Sequence, residues 1–544
     1  MWQIILNPFI IVKKSVYSLL FLIFCVTTIQ TNAQTNFVVE VDTFSLTVPP
    51  AIHSGAFSQW NGKWIFIGGR KNGLHGFLPP FAFPTSDANT DVWVVDPNNN
   101  QTWTSSIDSL PINYAEALES SNMEYYQQDS MLYIVGGYGW KNSLSDFHTY
   151  NTLTAVNIPS LINAVVNNYS IVPFFRQISD SSLQVCGGDL EKIDSVYYLV
   201  FGHDFEGTYN VADTLGFFVQ HYTKQIRKFQ IQDDGVNLSI YNKSAITDSS
   251  NFRRRDLNLV PQIFPNGEYG ITAFTGVFQQ GINLPYFNTI DIKTSGYAIV
   301  PAFNQNLSQY HCAVMPMYNA TDNNMYSVFF GGMSMYRLDT INNSLVTDSL
   351  VPFTKTISMV KRDATGTMTE YKLPIEWPAY LGTNAYFIPD TSIAMYENKI
   401  INLDSIHQKT FVGYITGGIE SPDSNIAAVA STLSFACSRL YKVYIKLPND
   451  AVNYIKATEP VSLNSYPNPF KGKINFELTA TENISTTVSI LDEDGYELEI
   501  LLTKNLNAGR FSFQWNAKHL PSGIYYCLIK TKNYSKVYKL VLTD

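Results

Sequence analysis

Trp64-Ile65-Phe66-Ile67-Gly68-Gly69 decides the reading of this chain. Four bulky residues suited to a pleated, half-buried surface run straight into two glycines. Glycine there permits positive φ and lets another backbone come close. The pattern returns as Leu132-Tyr133-Ile134-Val135-Gly136-Gly137, then Tyr198-Leu199-Val200-Phe201-Gly202-His203 and Ile271-Thr272-Ala273-Phe274-Thr275-Gly276. Two further copies are Ser327-Val328-Phe329-Phe330-Gly331-Gly332 and Val412-Gly413-Tyr414-Ile415-Thr416-Gly417-Gly418. Taken copy by copy, the first glycines fall at 68, 136, 202, 276, 331 and 417. Behind each copy, across a polar loop, lies another apolar strand, at 91–96, 147–156, 226–231, 289–292, 357–360 and 440–445. Six recurrences of one supersecondary unit imply a repeat architecture. The third and fourth copies keep a single glycine, and a separate pair, Gly187-Gly188, stands ahead of the third.

The rest of the composition agrees. Hydrophobic residues make up 45% of the 544, aromatics 14% and charged residues 15%. That supplies large cores and favours β structure over disorder. No long apolar segment has helical period, so few helices are expected. The net charge of −9 and the lack of a long basic run argue against nucleic acid as a partner.

A strand ending in Gly-Gly, followed by an aromatic strand, resembles the kelch repeat. That resemblance implies six four-stranded blades around a channel: a six-bladed kelch-like β-propeller over residues 35–446, in an all-β chain. A kelch unit is about 50 residues, so the longer spacing here implies extended loops, where binding resides. The alternating run Phe37-Val38-Val39-Glu40-Val41 is expected to complete the last blade beside Tyr441–Ile445.

Lys13 and Lys14 precede the apolar run from Val16 to Val26, and Thr31-Asn32-Ala33-Gln34 follows. This reads as a signal peptide over residues 1–33, cleaved between Ala33 and Gln34. The run is short for a bilayer span, and no other segment is long enough, so the mature chain is not expected to span a membrane. Cys25 leaves with the signal. Cys186, Cys312, Cys437 and Cys527 lack metal-site spacing and read as buried small residues, with pairing left open.

Residues 447–462, with Pro448 and Pro460, read as a linker. Tyr466-Pro467-Asn468-Pro469 then opens a run of about seven short strands, the count of an immunoglobulin-like sandwich. A turn at Asp492-Glu493-Asp494-Gly495, the motif Leu520-Pro521-Ser522-Gly523-Ile524-Tyr525 and a last strand containing Lys539 follow. In order and spacing, residues 463–544 resemble the type A C-terminal sorting domain of type IX secretion substrates. The resemblance implies the type IX machinery as a partner, passage through the periplasm, and a secreted or outer-surface destination. Many such domains are removed after export.

No strong catalytic constellation stands out. Walker A, H-E-x-x-H and G-x-S-x-G motifs are absent, the eight histidines are scattered, and no metal or cofactor is predicted. Arg253-Arg254-Arg255-Asp256 is the most pointed feature. It is either an anion-binding fork near the channel mouth or a set of structural pairs between blades. His203 and Glu206, in His203-Asp204-Phe205-Glu206, form a second candidate loop. Phe77, Phe81, Phe83 and Trp140 could stack on sugars or pack in the core. The function expected is a surface propeller that binds an extracellular glycan or protein through its loops. The alternative is a carbohydrate-active enzyme working in the channel, mutarotase-like ahead of copper-radical oxidase-like. Tyr310-His311-Cys312 has residue types an oxidase needs, but adjacent strand residues face opposite ways.

Overall fold

The computed structural model describes residues 33–35, 37–210, 218–282, 284–339, 344–425, 433–447 and 452–544, with side chains from 37 to 447 and from 457 onward. The signal segment lies outside these residues up to 32. The chain is all-β, with two short helices among the described residues, Ile112–Leu118 and Ile158–Val166.

The described residues of 37–447 form three two-stranded hairpins and six larger sheets, each built on four antiparallel strands. The first joins Ala56–Trp60, Lys63–Ile67, Asp91–Asp96 and Gln101–Ser106 in sequence order. The second, third and fourth sheets begin with Glu124–Gln128, Asp189–Ile193 and Asn258–Ile263. The fifth begins with Ala313–Asn319 and the sixth with Tyr380–Pro389. These opening strands touch one another in order. The last also meets the first, through the Tyr386 hydroxyl, which donates to Gly55 O at 3.0 Å, and through Tyr386 packing on Phe57. The fourth strand of the sixth sheet comes from the other end of the chain: Val38–Phe44 pairs with Leu440–Lys446, Val39 opposite Ile445 and Val41 opposite Val443. The alternating N-terminal run therefore does complete the last sheet. Apolar clusters fill the space between neighbouring sheets, as the two-sided apolar second strands require.

The glycines explain why the pattern repeats. In every sheet a glycine N–H donates to a carbonyl at or just ahead of the start of the next sheet's opening strand. Gly69 donates to Ser120 (2.9 Å), Gly137 to Val185 (2.8 Å) and Gly202 to Arg254 (2.9 Å). Gly276 donates to Gln309 (3.3 Å), Gly332 to Leu381 (3.2 Å) and Gly418 to Ile52 (3.3 Å). This corrects the alignment of the copies. Gly202 and Gly276 occupy the second glycine position, and Phe201 (φ 59°) and Thr275 (φ 50°) stand where the other sheets have their first glycine. In the second copy, Asp146–Thr149 turns out to belong to a separate hairpin with Tyr138–Lys141, and the sheet strand is Thr152–Asn157.

A second set of backbone bonds links the same places. Asn122 N–H donates to Ser54 O, Gly187 to Asn122, Asp256 to Gly187, His311 to Asp256 and Asn384 to His311, at 2.8–3.0 Å. Ser54, Asn122, Asp256 and Asn384 hold φ between 51° and 59°, a region that Asn and Asp tolerate better than most residues. Gly187, at φ 65°, is the third sheet's member of this ladder, which gives the isolated glycine pair its place.

The segment read as a linker carries a strand, Val452–Lys456, on the outer edge of the fifth sheet, and Ala33–Thr35 pairs with it. Beyond it, seven strands form two sheets of three and four around one core that includes Phe476, Ile490, Trp515 and Ile529. The four remaining cysteines are buried and unpaired.

Candidate functional site

The residue after each glycine turn lies at one end of the six-sheet body. In five of the six sheets that residue, Arg70, Tyr138, His203, Met333 or Ile419, lines a single cavity of about 430 Å³. In the fourth sheet Val277 is followed by Phe278, which lines it. Antiparallel bridges His53–Arg70, Cys186–His203 and Arg255–Val277 fix these residues against the segments that enter the opening strands. The backbone ladder forms the floor, because Ser54, Asn122, Asp256 and Asn384 line both this cavity and a small one of about 50 Å³ behind it. Past that lies a chamber of about 670 Å³ among the opening strands, lined by Asp189, Glu191, His311 and Tyr386. The loop at Asn398 crosses it, donating to Lys192 O at 2.9 Å and accepting from the Tyr126 hydroxyl at 3.1 Å.

Two guanidinium groups and a shell of rings characterise the mouth. Arg70 donates to Asn72 Oδ1 (3.2 Å) and Pro84 O (2.8 Å), with its guanidinium 5.3 Å from the Phe83 ring and Asp87 at 4.0 Å. Burial pulls its pKa down to about 10, against the pull of Asp87, so it stays charged. Arg255 pairs with Asp256 and stacks on Phe278 at 5.3 Å, while its Nε has no partner. Burial opposes its charge, but Asp256 more than offsets this and raises its pKa. His75 stacks on Phe83 at 4.2 Å, and Tyr209 meets His75 edge-on at 5.3 Å. Burial, aided by nearby arginine charge, takes His53 down to about 3 and His203 well below its ordinary value. Burial alone leads at His75, which falls to about 4. At neutral pH these histidines are therefore neutral, which leaves Arg70 and the Arg255–Asp256 pair as the charged groups lining the mouth. His53 Nε2 lies 3.0 Å from Asn72 O and His203 Nδ1 2.7 Å from Gln220 Nε2.

The sequence candidates scatter. His203 and Arg255 lie on the mouth. Arg253 sits beside it, its guanidinium 4.0 Å over Tyr222, which pairs with His203 across the hairpin. Arg254 is fully buried in the joint between the third and fourth sheets. There it donates to Asn251 O (2.7 Å), Thr275 O (2.8 Å) and Asn288 O (2.9 Å), and lies 4.1 Å over Tyr286. Glu206 is outside the mouth, 2.6 Å from His148 Nδ1 and accepting from Gln184 at 3.0 Å. Burial works against its charge, but the His148 contact holds its pKa below the usual value. The neighbouring Asp204 is pushed to about 6 by burial and by Glu206. Phe77 and Phe83 line the mouth; Phe81 and Trp140 are on the surface. Sequence reasoning passed over Arg70, His53 and His75. Arg70 was findable, since it directly follows Gly69. Among the described residues no group of three or more His, Cys, Asp or Glu is disposed to hold a metal ion.

In the sandwich, Asn468 Nδ2 donates to Lys539 O (2.8 Å) and its Oδ1 accepts from Val541 N–H (2.9 Å), so the opening motif clips onto the last strand. Tyr525 O–H donates to Pro521 O at 2.8 Å, which folds the motif around Gly523 onto itself. Tyr466 is exposed.

Residues 464–543 match the family described as a secretion system C-terminal sorting domain. No curated protein matches the chain. Among solved structures, YjhT aligns at 12% identity over 72% of this chain and 98% of its own, with a TM-score of 0.39. PorZ, described as an essential surface component of the type-IX secretion system of Porphyromonas gingivalis, aligns at 9% identity over 92% of this chain and 76% of its own, with a TM-score of 0.14. Dimeric latent PorU from Porphyromonas gingivalis aligns at 8% identity over 71% and 36%, with a TM-score of 0.16. Likenesses this loose carry no argument about the chain. The family match does: the chain ends in a type IX sorting domain, and it is a protein sent to the cell surface or beyond.

Proposed function

We propose that the six sheets are the blades of a kelch-like propeller carried out of the cell by the sorting domain, and that its mouth binds a carboxylate-bearing glycan. On this reading residues 1–33 are the signal peptide, 35–446 the propeller, 447–462 the connection and 463–544 the sorting domain. The six glycine N–H bonds from sheet to sheet, with the sixth returning to Ile52, support the propeller.

The observation that carries the binding reading is the pairing of Arg70 and Arg255 with aromatic walls in a cavity of about 430 Å³. A guanidinium is a planar fork that matches a carboxylate, and it gains strength where water is excluded. Phe77, Phe83, Tyr209 and Phe278 offer ring faces for the apolar side of a sugar. The volume fits a small ligand or a glycan end.

The test is an array of carboxylated, sulfated and neutral glycans, probed with the full chain and with Arg70→Gln and Arg255→Gln. Carboxylated glycans should be bound, and either variant should lose at least about tenfold in affinity, the loss of one charge-assisted contact. Equal binding of neutral glycans, or full retention by both variants, would overturn the reading. Failure of the folded protein to bind any glycan would favour a protein ligand.

A further inference from the structure

One side of the mouth rests on the sorting domain. Phe278 belongs to the loop between Phe274 and Thr289, and Val351 follows the hairpin of Tyr336–Asp339 with Ser344–Thr347; both line the cavity. Each of these two segments is gripped from outside by the sandwich. Tyr526 O–H donates to Gln280 O at 3.1 Å. Next to it, Gly281 (φ +82°) packs so closely on the Glu493 backbone that no Cβ could be fitted.

The hairpin is held more firmly. Thr347 N–H donates to Asn533 O (2.7 Å), Ser535 N–H donates to Thr347 Oγ1 (2.7 Å), and Tyr336 O–H donates to Ser535 O (2.6 Å). Tyr534, only 2% exposed, stacks on Tyr336 at 5.5 Å and shares one apolar cluster with Phe287, Leu338, Leu345 and Val351. From the inside, the arginine run grips the first loop: Arg253 donates to Phe278 O, Arg254 stacks on Tyr286, and Arg255 stacks on Phe278.

We propose that the sorting domain, besides addressing the chain for export, positions the mouth. Tyr526 and Tyr534 are positioning residues that hold Phe278 and Val351 in the ligand-binding arrangement. Loops with little packing of their own open readily, and a buried external contact suppresses that opening. Detachment of the sorting domain then releases this wall, so the protein binds most tightly before the domain is lost. The ligand half of this inference rests on the glycan reading above; the positional half does not.

The experiment is hydrogen exchange on the full chain, comparing wild type with Tyr534→Ala, Tyr526→Phe and Tyr534→Phe. Tyr496→Ala, at a side chain 72% exposed on the sandwich, is the control. Tyr534→Phe keeps the ring that stacks on Tyr336 and should exchange like wild type. Tyr534→Ala should speed exchange in 344–353 about tenfold, and Tyr526→Phe should do so more weakly in 277–282, with the remaining sheets unchanged. Unchanged exchange in both segments of a folded Tyr534→Ala protein would overturn the proposal, as would loss of protection spread evenly over the body. Affinity for any carboxylated glycan bound by wild type is then measured on the same variants. Faster exchange without weaker binding would retain the positional contact and refute its role in binding. Absence of any glycan ligand would count against the glycan reading and leave the exchange result standing.

Discussion

The first, second, fifth and sixth sheets carry two glycines in or directly after their second strand, whereas the third and fourth carry Phe201-Gly202 and Thr275-Gly276. The comparison separates two jobs that a glycine pair hides. The second glycine gives its N–H to the next sheet, and all six sheets keep it. The first glycine makes room. At Gly68, Gly136, Gly331 and Gly417 a Cβ would run into the carbonyl of Leu118, Val185, Leu381 or Ile52 from the adjoining sheet. At Phe201 and Thr275 a side chain is accommodated and put to use. Phe201 packs on Phe252 with ring centroids 4.9 Å apart, and Thr275 Oγ1 donates to Gln309 O at 3.0 Å. Both residues sit in the left-handed region, at about 1–2 kcal/mol each for an ordinary L-residue. Arg254 binds this joint together, with hydrogen bonds to Thr275 and Asn288 and its guanidinium 6.0 Å from the Phe201 ring.

Gly69→Ala should break the contrast hardest. Its Cβ would enter the His53 carbonyl with φ at +81°, and a loss above about 3 kcal/mol, or failure to fold, is expected in urea denaturation. Gly267→Ala, with φ +80° and open space around it, should lose only about 1–2 kcal/mol. Similar losses at the two sites would mean that conformation, not crowding, keeps glycine at the joints.

Arg254→Met should come next, at about 3 kcal/mol, because one buried and two half-buried carbonyls lose their donor. Arg253→Met should cost less, about 1 kcal/mol, for its one bond to Phe278 O and its contact with Tyr222. Thr275→Gly should be nearly neutral, within about 1 kcal/mol, as relief of φ offsets the lost bond to Gln309. A clear gain in stability there would show that the hydroxyl bond contributes nothing to the joint.

A pH dependence is expected at Glu124, which accepts from the Gly188 N–H of the third sheet at 2.6 Å. Burial pushes its pKa up to about 8. Unfolded, it loses its proton near pH 4.5; folded, it keeps it to about 8. Its contribution is full below the unfolded value and is lost as pH rises through that window. Glu124→Gln should therefore gain on wild type as unfolding is measured at successive pH values from 5 to 8. A constant difference across that range would show that the carboxyl is already charged in the fold.

The strand–glycine pattern was legible because it is dictated by local chemistry: a pleated apolar strand, then a turn that needs positive φ. The seven-strand end domain was legible for the same reason, with Asn468, Gly523 and Tyr525 at fixed offsets. The alignment of the third and fourth copies was not. Phe201 and Thr275 look like strand residues, and their left-handed turns are imposed by a neighbouring sheet far away in sequence. The site was half legible. Arg255 and His203 stand out by type, but Arg254 is identical in type to its neighbours and differs only in which way the chain turns it. Arg70, His53 and His75 all come from segments around the first sheet's opening strands and are drawn together by the His53–Arg70 bridge, a turn geometry that no spacing in the sequence records.

Eleven of the bonds that join the sheets, six from glycine N–H groups and five in the ladder beneath the mouth, run between main-chain atoms. Assembly therefore asks almost nothing of the side chains that follow each turn. Arg70, Tyr138, His203, Phe278, Met333 and Ile419 form a set of positions, one per sheet, all lining the same cavity. Selection or a designer could rewrite them to change what is recognised, while the scaffold that presents them stays the same.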